Sequence, residues 1–102
     1  VFKLQPDPTF WSKVQIPVTG SEPQPLEVEW RHRTVDDLQA FATAMRDRTP
    51  LDVCVDMIVS WRDVEVEFSR DALERLLQNY PLAADTFATS YLAAFRDAKR
   101  GN

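Results

Sequence analysis

Two hydrophobic periods overlap between Arg48 and Trp61. Every odd position from Leu51 to Trp61 is apolar (Leu51, Val53, Val55, Met57, Val59, Trp61), which is the period of a strand. In the same stretch Asp52, Asp56 and Ser60 recur every fourth residue, the spacing of one helical stripe. The preceding Thr49-Pro50 favours the helix. Thr is an N-cap residue, Pro suits the first helical position because its missing N–H is not needed there, and Asp52 falls in the first turn. The spacing and that start predict a central helix over 50–60, covered on most sides, with Asp52, Asp56 and Ser60 as its solvent stripe. On this reading Asp56→Leu costs no more than about 0.5 kcal/mol, as for most surface changes. Val55→Asp is severe, because it buries an unpaired charge.

Upstream, five of the seven prolines (Pro6, Pro8, Pro17, Pro23, Pro25) lie within the first 25 residues, so this part is strands and loops. Val14, Ile16 and Val18 alternate with Lys13, Gln15 and Pro17, predicting a half-buried strand at a sheet edge, since Pro17 cannot donate to a ladder. Leu26, Val28, Trp30 and His32 alternate with Glu27, Glu29, Arg31 and Arg33, a second strand expected to pair antiparallel with the first. Phe2 to Leu4 is a candidate third strand.

From Thr34 the period lengthens. Val35, Leu38, Phe41, Ala42 and Met45 make one helical face, with Thr34 as N-cap, Asp36 and Asp37 in the first turn, and Arg46 and Arg48 near the end. Downstream, "RDVEVEF" is a connection with a short alternating section. Ser69 then caps a helix whose apolar face is Ala72, Leu73, Leu76, Leu77 and Tyr80, and Pro81 ends it. A last helix carries Ala84, Phe87, Ala88, Tyr91, Leu92 and Phe95, closing on Lys99, Arg100 and Gly101. The expected architecture is α+β in one domain over 1–102: a small N-terminal antiparallel sheet of two or three strands (1–33), packed with about four helices (34–100).

Composition narrows the function classes. The formal charge is −4, with three lysines and nine arginines scattered among carboxylates, which argues against nucleic acid as a partner. No run approaches the ~20 apolar residues of a membrane span, so no membrane role is expected. Residues 1–20 lack a signal-length apolar run, the chain opens on Val1 rather than Met as after processing or trimming, and a cytoplasmic protein is expected. Cys54 is the sole cysteine and sits among apolar residues, the pattern of a buried reduced thiol.

No residue set supports catalysis. The single histidine, His32, lies between two arginines in a strand with no nucleophile or orienting acid near it in sequence. Asp52, Cys54 and Asp56 do not converge as metal ligands in a helix, and Gly20 and Gly101 offer no phosphate loop. Asp36/Asp37 and Glu65/Glu67 read as solvated charge. No cofactor is expected. The aromatics are the better lead. Phe10-Trp11 falls in a segment that reads as irregular, either a binding anchor or a lid folded over the core. Trp61 and Phe68 read as satellite core. The candidates for partner contact are Trp11, Trp61, Phe87, Tyr91 and Phe95, large residues near helix ends or irregular segments. Trp11→Ala is expected to weaken a complex most directly.

The stretch "VSWRDVEVEFSRDALERLLQNYP", preceded by "FKLQPDPTFW" and "LEVEWRHRT", resembles the phage tail assembly chaperone family over nearly the whole chain. The apolar segment ending in Trp61, the acidic link to Phe68-Ser69, the capped "ALERLL" helix and "NYP" before the last helix carry the likeness, by their order and spacing. Ser60 departs from it, since Gly is expected there more often. The resemblance implies a non-enzymatic assembly factor of tailed bacteriophages or prophages. Such a protein binds the tape-measure protein, keeps it soluble, helps recruit tail-tube protein, and leaves before the tail is complete. It also implies two forms made by ribosomal frameshifting, with "RDAKRGN" ending the short one. Two other classes stay open: a structural tail or head–tail joining protein retained in the virion, and a small acidic regulatory adaptor. A homo-oligomer is equally open.

Overall fold

β1 (Thr9–Ile16) and β2 (Gln24–Arg31) pair antiparallel, with Val14 opposite Leu26 and Phe10 opposite Trp30. This computed structural model describes residues 1–96. The connection turns at Gly20, whose φ of +76° lies in the left-handed region that Gly enters without steric cost. β1 is longer than the alternation of Val14 to Val18 suggests. It begins at Thr9, so Phe10 and Trp11 are strand residues and not part of an irregular segment. β2 stops at Arg31, although the His32 amide still donates to the Pro8 carbonyl at 2.8 Å. His32 is therefore just beyond the strand, half-buried, with its ring 5.7 Å from that of Phe95.

The third strand is not Phe2 to Leu4, which forms none. It is β3 (Ile58–Arg62), antiparallel to β2 in a sheet of order β1-β2-β3, so it comes from within the part expected to be helical. The helix predicted over 50–60 is α2 (Pro50–Met57). Its start is as expected: the Thr49 side chain accepts from the Asp52 amide at 3.1 Å, and Pro50 opens the first turn. Its end is not. Ile58 takes an extended backbone (φ −102°, ψ 128°) while its amide still donates to the Cys54 carbonyl, so helix passes into strand without a loop. Pairing with β2 offers Ile58 to Trp61 a ladder that a further helical turn could not match, and the β-branched Ile58 and Val59 and the aromatic Trp61 favour it. The odd-position alternation also fails inside β3. Trp30 faces Ile58 while Glu29 faces Ser60, so Val59 is the extra residue of a bulge, and Ile58 and Trp61 both reach the inner face.

α1 (Val35–Ala44) is capped by Thr34, whose hydroxyl accepts from Asp37 N at 3.1 Å. It turns only Phe41 fully inward, while Val35 and Ala42 of the predicted face are exposed. A 3-10 turn (Met45–Asp47) carries the chain to α2. α3 (Arg70–Asn79) starts on Ser69, which accepts from Ala72 N at 3.0 Å, and α4 (Ala83–Arg96) follows Pro81. The predicted basic end at Lys99, Arg100 and Gly101 lies outside the described residues.

The fold is α+β, with three antiparallel strands and four α-helices among the described residues. Val14, Ile16, Val28, Trp30, Ile58 and Trp61 supply the buried face of the sheet, and Met57, Leu73, Phe87 and Tyr91 close on it from the helices. The opposite face carries Trp11, Lys13, Glu27, Glu29 and Arg62. Cys54 is 1 % exposed, and burial pushes its thiol up to about 12, so it is an inert core residue. Among the described residues no helix is long and apolar enough to cross a membrane.

Candidate partner-binding site

One end of the sheet is sealed. There Trp30 meets Tyr91 at 5.2 Å and Phe87 at 6.2 Å between ring centroids, and Phe41 meets Tyr91 edge-on at 5.6 Å. Tyr91 donates to the Arg31 carbonyl at 2.6 Å, and Trp30 Nε1 donates to Ser12 Oγ at 2.6 Å, so neither ring buries an unmet polar atom. Burial raises the Tyr91 hydroxyl above its ordinary range.

Asp56, predicted as a solvent residue, is instead the hub of this end. Its Oδ2 accepts from Arg33 at 2.9 Å and from Arg48 at 3.0 Å. Its carbonyl, at the C-terminus of α2, accepts from Arg31 Nε at 3.1 Å and Arg33 Nη2 at 3.2 Å. A carboxylate at a helix C-terminus opposes the helix dipole, and these cations reverse that local field. Burial pushes the Asp56 carboxyl up, but the hydrogen bonds and charges of Arg48 and Arg33 outweigh it and hold the group below its usual range. Only 10 % of the Arg33 side chain is exposed, and its guanidinium lies 4.3 Å over the Phe41 ring. Ser60, the third member of the expected stripe, is half-buried in β3 beside Glu29.

The other end of the sheet is left open. Ile16, Leu26 and Trp61 face α3 across a cleft of about 270 Å³, walled by Val64 and Val66 of the β3–α3 link and by Leu76 and Tyr80. Trp61 stands at its side, edge-on to Phe68 at 5.1 Å, with Nε1 donating to the Val66 carbonyl at 2.9 Å. That bond ties the link to the sheet and holds Val64 and Val66 at the mouth. Glu65 and Arg75 are the charged lining groups. The volume lies below the roughly 300–1,000 Å³ of small-molecule sites, and the lining is mostly hydrocarbon, so the cleft suits a few apolar side chains of a larger partner. Among the described residues no cluster of three or more His, Cys, Asp or Glu could hold a metal ion.

The five predicted contact aromatics are thus not brought together. Phe87 and Tyr91 have no exposed surface, and their place is the sealed core. Phe95 is half-buried against Phe10 at 5.6 Å and Tyr91 at 5.1 Å. Trp61 lines the cleft. Trp11 is 39 % exposed on the outer sheet face, with the Arg62 guanidinium 4.1 Å over its ring and Arg62 bound to Glu27 at 3.0 Å. The cleft residues Val64, Val66, Leu76 and Tyr80 were not singled out from sequence. Two signals pointed to them: the Val64/Val66 alternation in an acidic link, and an α3 apolar face broader than its two buried residues, Ala72 and Leu73, require.

A family model described as phage tail assembly chaperone matches the chain over residues 1–102. No curated protein and no solved structure matches it.

Proposed function

Because the chain belongs to the phage tail assembly chaperone family, we propose that it binds the tape-measure protein in the host cytoplasm, shields it until tail-tube protein is recruited around it, and does no catalysis. The whole-chain family match carries this reading. The open cleft supports it, since an apolar recess beside Trp61 is suited to side chains from one face of an amphipathic helix. A long client with an exposed apolar stripe aggregates unless that stripe is covered. The net charge of −4 adds solubility to the complex. Of the five aromatics, Trp61 is the one we place at the client contact.

Co-expression tests it. The tape-measure protein encoded with this chain stays soluble and co-purifies with it, and the complex persists in raised salt because the contact is apolar rather than between exposed charges. Val66→Asp in the cleft wall loses the complex, while Trp11→Ala keeps it. Loss with Trp11→Ala and retention with Val66→Asp would move the contact to the outer sheet face. A tape-measure protein that stays insoluble, or this chain present in stoichiometric amount in mature particles, would replace the chaperone reading with that of a structural tail protein.

A further inference from the structure

The two edges of the sheet are unlike. β3, at one edge, is five residues long and bulged at Val59, which spoils it as a template for another strand. β1, at the other, is eight residues long, keeps an unbroken register against β2 and contains no proline or bulge. Lys13 is its one charged residue.

The register shows which backbone groups of β1 are free. The His32 amide donates to the Pro8 carbonyl, which makes Pro8 and His32 a hydrogen-bonded pair, and such pairs recur at every second position of an antiparallel ladder. Phe10, Ser12, Val14 and Ile16 therefore turn their N–H and C=O to β2, and Thr9, Trp11, Lys13 and Gln15 turn theirs outward. Among the described residues none bonds to these outward groups, and residues 1–8 form no strand against them.

This edge is complementary to itself. With the Ser12 residues of two copies opposite each other, Thr9 of each chain faces Gln15 of the other and Trp11 faces Lys13. All four outward N–H and C=O groups of both chains then pair. Inner face meets inner face, with Phe10 opposite Val14, so both helical layers fall on one side of the joined sheet. The neighbouring registers are worse. With the two Lys13 residues opposite each other, like charges are apposed and Thr9 meets Pro17, which has no N–H. With the two Trp11 residues opposite each other, Gln15 falls beyond the strand, against Asp7. Slipping by a single residue sets the inner face of one copy against the outer face of the other.

We propose that β1 pairs antiparallel with β1 of a second copy about a two-fold axis between their Ser12 residues, so that two three-stranded sheets become one of six strands. The dimer is closed, because this pairing uses up the unbulged edges and leaves β3 at both ends. It does not depend on the cleft being the client site.

Light scattering and spin-label distances test it. The unaltered chain has a dimer mass; a monomer, or a mass above that of a dimer, overturns the inference. Lys13→Pro removes an outward N–H that β2 does not use, so it gives a folded monomer by circular dichroism and light scattering. Lys13→Thr keeps that N–H and stays dimeric. A folded Lys13→Pro dimer, or a Lys13→Thr monomer, overturns it. A nitroxide on Gln15→Cys decides the matter even where Lys13→Pro does not fold. Cys54 is buried and takes no label. Gln15 lies six positions from its own counterpart in this register, so the two backbones are about 20 Å apart at ~3.3 Å per residue. A distance distribution centred there supports the pairing, and one with nothing below about 30 Å overturns it.

Discussion

At the Trp30 end of the sheet the rings of Phe87, Tyr91 and Phe41 fill the space over the strands, and Asp56 draws three arginines to the end of α2. At the Trp61 end, toward Leu26 and Gln24 of β2, one ring pair is followed by an open recess of about 270 Å³. Both ends are built on the same three strands and carry the same kind of residues. They differ in what comes next in the chain. α4 lays fourteen residues of helix across the first end, whereas the second receives only the short link 63–69 before α3. A helix that long covers the strands beneath it; the link is tied down by an indole hydrogen bond and the Phe68 ring against Trp61, and leaves hydrocarbon uncovered. The sealed end holds the fold, and the open end has surface to offer a partner.

That division can be broken first at its most buried point. Phe87 is fully buried between α4 and Trp30. Phe87→Ala removes a ring that the surrounding structure cannot replace, and costs about 3–5 kcal/mol. For a chain of this size that is a large share of total stability. Urea titration followed by tryptophan fluorescence measures it. A cost under about 1 kcal/mol would mean the end is not packed as described.

Asp56 comes next. Replacing it with Leu leaves the largely buried Arg33 guanidinium without its carboxylate, at about 2 kcal/mol, rather than the small cost its position on a helical stripe implies. The same group sets an acid limit. Its carboxyl is held below the ordinary range, so its contribution is fully present above the unfolded value of about 3.9 and is lost as pH falls through the lower native value. Asp52, lowered by hydrogen bonds first from Arg70 and then from Thr49, adds in the same direction. Stability therefore falls below about pH 4, and the fall is shallower in Asp56→Leu.

These effects show where the sequence was readable. The starts of α1, α2 and α3 are local events, and Thr34, Thr49 and Ser69 each mark one by a side chain that accepts from an amide three residues on. The pairing of β1 with β2 follows from two short alternating runs joined by a turn. The end of α2 is different. Nothing between Met57 and Ile58 stops a helix; the stop comes from β2, some thirty residues upstream, and the bulge at Val59 hides the strand's phase. Asp56 likewise looks like a solvent residue until Arg33 and Arg48 arrive from other elements. The cleft was legible only as excess hydrocarbon in the link and on α3, because an empty space is made by the packing of elements and not by any one of them.

A smaller change at the sealed end isolates one bond. Tyr91→Phe keeps the ring contacts with Trp30, Phe41 and Phe95 but removes the donor to the Arg31 carbonyl. The expected loss is about 1 kcal/mol by thermal or denaturant unfolding, with client binding unchanged. A loss of binding without a loss of stability would place the partner at this end instead.

The smallest stability effect belongs to the open end. Val66 is 37 % exposed, and what it gives the fold is its backbone carbonyl, which accepts from Trp61 and survives any change of side chain. Val66→Asp therefore leaves the unfolding free energy within about 0.5 kcal/mol of the unaltered chain. It places a carboxylate at the mouth of an apolar recess, where a partner's hydrocarbon would have to desolvate it. Client affinity then falls by roughly 1–3 kcal/mol, the cost typical of losing an interface anchor. Measured together, the two numbers decide whether stability and binding are separable. If Val66→Asp lowers both in proportion, the link is part of the core and the open end is no more a binding surface than the sealed one. If it lowers binding alone, while Tyr91→Phe lowers stability alone, the two ends have the separate roles their packing describes.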